Sequence, residues 1–123
     1  MITQFAEGQI WKYATRPGES ESRITIVRLD DDAEYGNIIH IYISDIDINN
    51  PEAPGGKTTY IAHMPFAEDA LEDCVTELER NSPELPEFRE GYRLWREDFD
   101  QGEAGVFTIP VSQAIESVQE TIR

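Results

Sequence analysis

The sequence predicts an α+β domain: a curled, mainly antiparallel sheet of about five strands packed by two or three helices. Two patterns carry this expectation. The first half of the chain alternates apolar and polar residues with the period of a strand, and the second half repeats its apolar residues at helical spacing. The 123 residues, 39% apolar with 10% aromatic, supply one core that needs neither a disulfide nor a metal to fold. No internal repeat, low-complexity tract or long linker divides residues 1–123 into smaller units.

The elements follow in order. Gln9 to Thr15 reads as a first strand, with Trp11 and Tyr13 on one face and Ile10 and Lys12 on the other. Arg16-Pro17-Gly18-Glu19 is a turn, because Pro fixes φ at its second position and Gly accepts φ > 0 at its third. Ser22 to Asp30 is a second strand, Ile24 and Ile26 facing one way and Thr25, Val27 and Leu29 the other. A polar turn, Asp30 to Gly36, leads into a long third strand, Asn37 to Ile48. Its isoleucines change phase: Ile39, Ile41 and Ile43 are odd, Ile46 and Ile48 even. Side chains alternate with period two, so all five face one core only if a bulge or bend intervenes at Ser44 and Asp45.

Pro51, Pro54, Gly55 and Gly56 make Asn49 to Lys57 a loop, and Thr58 to Met64 is a fourth strand stopped by Pro65. Leu71, Cys74, Val75 and Leu78 sit at i, i+3, i+4 and i+7, which predicts a helix over 67–80. A second helix runs from near Pro86 to Asp100, where Phe88, Tyr92, Trp95 and Phe99 form one aromatic stripe, read as core. Gly105 to Ile109 is a short fifth strand. Pro110 and Ser112 open a last helix buried through Ile115, Val118 and Ile122.

Charge narrows the function classes. There are 25 acids against 10 Lys plus Arg, a formal net charge of −15. Residues 63–123 hold 15 acids and 5 bases, the larger share of the excess. Such a chain lacks the clustered cations that bind nucleic-acid backbone or an anionic membrane. Without an apolar run of about 18 residues or a signal-like start, the expected location is the cytoplasm. A single cysteine excludes a cysteine-based zinc site, and Cys74, on the helix stripe, reads as a buried, inert thiol.

No motif specifies an activity. Counted from Asp30 as a calcium loop, position 6 is Tyr35 and position 12 is Ile41, where Gly and Glu are required. Gly55-Gly56-Lys57-Thr58 lacks the upstream glycine of a phosphate loop and precedes a strand. His40 and His63 have no metal-ligand spacing, and each reads as a hydrogen-bonded strand histidine. No cofactor or metal is expected.

The stretch from Phe5 to Glu19, with Gly8-Gln9, Trp11, Tyr13 and Thr15-Arg16-Pro17-Gly18-Glu19, resembles the opening of a group of small bacterial proteins of unknown function. So do His63-Met64-Pro65-Phe66, Gly91-Tyr92 with Trp95, and Gly102 to Ile109. The resemblance implies one bacterial domain and brings no activity with it. Three functional expectations stand: a non-catalytic acidic protein of immunity or inhibitor type that covers a basic protein partner; a small-ligand protein or enzyme with Arg16, Glu19, His40 and His63 at the mouth of the sheet; and a DNA mimic.

Overall fold

The computed structural model describes residues 3–122. Its strands are β1 (Gln9–Tyr13), β2 (Arg23–Asp32), β3 (Gly36–Ser44), β4 (Ile48–Asn49), β5 (Lys57–Thr58), β6 (Ile61–Ala67) and β7 (Val75–Asn81). Its helices are α1 (Glu68–Cys74), α2 (Arg89–Asp100) and α3 (Val111–Ile122). Five strands form an open antiparallel sheet in the order β6-β3-β2-β1-β7, and β4 pairs with β5 beside it. The expected α+β architecture is therefore present, and the sheet is open rather than closed into a barrel. Among the described residues no helix is long and apolar enough to cross a membrane.

One face of the sheet builds the main core. Ile24 and Ile26 of β2 and Ile39, Ile41 and Ile43 of β3 are fully buried against Leu71 of α1 and Val111, Ala114 and Ile115 of α3. Each such isoleucine contributes roughly 1.5–3 kcal/mol of burial free energy. Ile46 and Ile48 join them. The expected bend occurs at Asp45, whose φ of 55° ends β3 and lets the isoleucine phase reset. The predicted turn at Arg16–Glu19 also forms: Gly18 takes φ 85°, and Glu19 N–H donates to Arg16 O at 3.1 Å.

Five expectations change. Strand β2 carries an unforeseen bulge: Ile26 pairs with Ile41, but Arg28 pairs with His40, so Val27 is an extra residue. Leu29 thereby joins the face of Ile24 and Ile26 instead of opposing it, while Arg28 and Asp30 turn to the other face. The helix expected over 67–80 stops at Cys74, and Val75–Asn81 extends to pair with β1. Val75 and Thr76 are β-branched and suit that edge, and Leu78 ends 40% exposed rather than in a helix stripe. Pro65 does not end its strand. Its carbonyl faces the outer edge of the sheet, where it accepts Phe107 N–H at 2.9 Å, so its missing N–H falls on the side away from β3. Around that contact, Gly105 to Ile109 reduces to one parallel bridge, Phe66 to Phe107.

The aromatic stripe of α2 is the fifth. Phe88 is buried, but Tyr92, Trp95 and Phe99 are half-buried and lie outside the main core. They cover the opposite face of the sheet, over His40 and His63.

Candidate functional site

The bulge at Val27 creates a polar cluster beneath α2. Arg28 and Asp30 arrive beside His40, and His63 reaches the same face from β6. His40 is fully buried; its Nε2 lies 2.9 Å from Asp30 Oδ2 and its Nδ1 2.9 Å from His63 Nε2. Tyr92 OH donates to Asp30 Oδ2 at 3.0 Å and Arg28 Nε donates to Oδ1 at 3.0 Å. Arg28 also stacks over the Tyr92 ring, 4.6 Å from its centroid. Close approach of the helix depends on Gly91: a Cβ there would sit 3.0 Å from His63 Cβ.

The chemistry of the partners fixes the tautomers. An ionised carboxylate only accepts, so His40 carries its proton on Nε2. Neutral His40 then accepts at Nδ1, and His63 must donate from Nε2. Burial drives His40 down to about 4, with His63 adding to the effect against the pull of Asp30. Burial likewise drives His63 to about 4. Burial opposes the charge of Asp30, but the Tyr92 hydroxyl, His40 and Arg28 outweigh it and hold the carboxyl below its usual value. Both histidines are thus neutral at pH 7, and both ring nitrogens of His40 are engaged. This matches the expectation of hydrogen-bonded strand histidines.

Arg16 and Glu19 lie elsewhere. Arg16 Nε donates to Glu19 Oε1 at 2.9 Å and Nη1 to Glu116 Oε2 of α3 at 3.0 Å. Glu19 is almost fully buried, and its Oε2 accepts Asp47 N–H at 2.8 Å. This group ties the β1–β2 turn to the loop before β4 and to α3. The four residues expected at one sheet mouth therefore form two separate clusters, because the sheet is open and the histidines face α2 rather than α3. Cys74 is buried as expected, and burial pushes its thiol up. Among the described residues no three His, Cys, Asp or Glu side chains are grouped to hold a metal ion.

The surface shows a different order. Every Lys and Arg among the described residues, from Lys12 to Arg96, lies within 4.0 Å of a carboxylate. The excess acid gathers at one pole. Residues 31–37, 67–73 and 97–104 hold eleven acids and no Lys or Arg. Asn37 Nδ2 donates to Glu68 Oε1 at 3.2 Å, which brings the start of α1 to the β2–β3 turn. Tyr35 meets Phe99 at 5.8 Å between ring centroids, which brings the end of α2 to the same turn. Between them opens a cleft of about 450 Å³, with Tyr35 and Phe99 as aromatic walls, Asp32 and Glu34 on one side and Gly102 on the other.

The sequence marks Asp30 to Gly36 as a polar turn and places four carboxylates, Glu97, Asp98, Asp100 and Glu103, near the end of the second predicted helix, with no signal that would join the two. Nor did it connect Asp30 with His40 or Tyr92, since that contact depends on the bulge. Comparison with protein-family models, curated proteins and solved structures gives no match for this chain.

Proposed function

We propose that this protein is a non-catalytic binding protein, of immunity or inhibitor type, whose acidic pole covers a basic protein partner. The observation that carries this reading is the charge arrangement. All the described cations are engaged internally, while eleven acids crowd three neighbouring segments that have none. The arrangement has a cost to the fold. Asp98 and Asp100 occupy the last turn of α2, which has no basic residue, so they oppose the negative end of the helix dipole. A surface on which Arg93 and Arg96 answer only Glu97 and Asp100 of the eleven acids is suited to a partner of opposite charge, whose approach it would steer.

The histidine pair supports a structural role. His40 has no solvent contact, both its nitrogens are engaged, and its partner Asp30 is held by three donors. The shortage of free cations likewise supports the absence of direct nucleic-acid binding.

Titration of the intact protein with an arginine- and lysine-rich peptide tests the reading. Affinity is expected to fall at least about tenfold between about 20 and about 500 mM NaCl, mostly through the association rate. The triple variant Glu34→Lys, Asp98→Lys, Glu103→Lys is expected to abolish binding with its fold retained. Binding that ignores salt, or survives the triple reversal, would overturn the proposal.

A further inference from the structure

We infer that the Tyr35–Phe99 cleft is a receptor for a single arginine side chain of the partner. The inference rests on the proposed basic partner and names the group that anchors it.

Three features of the cleft argue for a guanidinium. The first is a preset carboxylate. Asp32 Oδ2 accepts the backbone N–H of Glu34 at 2.9 Å and of Tyr35 at 3.0 Å, which holds the side chain in one geometry. Its Oδ1 has no hydrogen-bond partner among the described residues, so it is a fixed acceptor beside the cleft. The second is an available aromatic face. Tyr35 is 39% exposed, one of the few large hydrophobic side chains the fold leaves open. Phe99, by contrast, is already covered by Trp95, stacked at 4.6 Å.

The third is an arrangement of the same kind within the chain. Arg96 places its guanidinium 5.4 Å from the Phe99 centroid while its Nε forms an ion pair with Asp100 Oδ1 at 3.1 Å. Cation over ring with a carboxylate alongside is thus a geometry this pole already stabilises. A second guanidinium over Tyr35, paired with Asp32 Oδ1 and Glu34, would repeat it. Arginine suits this better than lysine, since its plane lies flat on a ring, it offers a fork to a carboxylate, and it is less strongly hydrated.

The test compares three peptides of equal length and otherwise identical sequence, carrying arginine, lysine or citrulline at the central position. The arginine peptide should bind the intact protein about five- to tenfold more tightly than the lysine peptide, and the citrulline peptide most weakly. Tyr35→Ala should remove the arginine preference while leaving salt-sensitive binding of both cationic peptides. Asp32→Asn keeps an acceptor for the two backbone N–H groups and should weaken the arginine peptide several-fold. Equal affinity for arginine and lysine, or a preference that survives in Tyr35→Ala, would overturn the cleft and leave the basic-partner reading intact. Failure of both cationic peptides to bind would overturn that reading and the cleft with it.

Discussion

The two faces of the five-stranded sheet are made by the same strands and have opposite characters. Toward α1 and α3 the sheet presents isoleucines with no polar atom to satisfy. Toward α2 it presents Arg28, Asp30, His40 and His63, joined by hydrogen bonds and roofed by half-buried aromatics. The first face is held by area removed from water, which tolerates no change of volume. The second is held by a chain of donors and acceptors, which tolerates no change of protonation. The difference between them turns on one residue, Val27. Without it Asp30, which has the parity of Ile24 and Ile26, would point into the apolar core.

The largest effect should come from the apolar face. Ile41→Ala is expected to cost about 2–5 kcal/mol, enough to unfold much of a domain of ordinary stability. Chemical denaturation checks this, and a loss below about 1 kcal/mol would mean that Ile41 is not a centre of the core.

Acid should separate the faces next. An unfolded histidine gains its proton near pH 6.5, whereas His40 and His63 resist protonation until about 4 when folded. The unfolded chain therefore binds more protons in that window, and stability should fall as pH drops through it, by about 3 kcal/mol for the fully buried His40 and by less for the more exposed His63. The depressed Asp30 adds a further loss only below its ordinary value of 3.8. His63→Gln keeps a donor but cannot titrate, and should flatten the slope. Denaturation midpoints measured from pH 7 to 4 decide it. A stability that rises on acidification would show that relief of the −15 charge outweighs the histidines.

Trp95→Ala should rank third, at about 2 kcal/mol, because Trp95 is half-buried and lies outside the main core. If it unfolds the protein as Ile41→Ala does, the α2 face carries as much of the stability as the isoleucine face. Smallest is a gain. Asp98→Lys should stabilise by roughly 0.3–1 kcal/mol by complementing the end of α2, while weakening any basic partner. A lower melting temperature in this variant would remove the case that the pole is maintained at the expense of the fold.

Local patterns told most of the apolar face in advance. The isoleucine alternation and the phase change at Asp45 each rest on neighbouring residues, and each appears where periodicity puts it. The polar face was less legible. A bulge at Val27 leaves no mark such as a glycine, and moving Leu29 from one face to the other is invisible to a strict count. The helix overran Cys74 because a short apolar series fits both periods, and only the unpaired edge of β1 decides between them. His40 was correctly placed as a hydrogen-bonded strand residue, but its partners stand 10, 23 and 52 positions away at Asp30, His63 and Tyr92. The acidic pole was hidden for the same reason, being assembled from three segments that meet only in space.

The outer strands bear on solubility. An open sheet can template its own growth, because each edge strand offers unpaired backbone groups to another chain. Here the two margins are guarded differently. On β6, Phe107 already occupies the backbone groups of Pro65 and Ala67. On β7, the register with β1 slips twice, and Glu77, Glu79 and Arg80 line an exposed strand. Irregular twist and charge both oppose stacking of one sheet on the rim of the next. A strand whose apolar spacing also fits a helix thus ends as an irregular, charged margin of the sheet, and its acidic residues lie outside the three segments of the acidic pole.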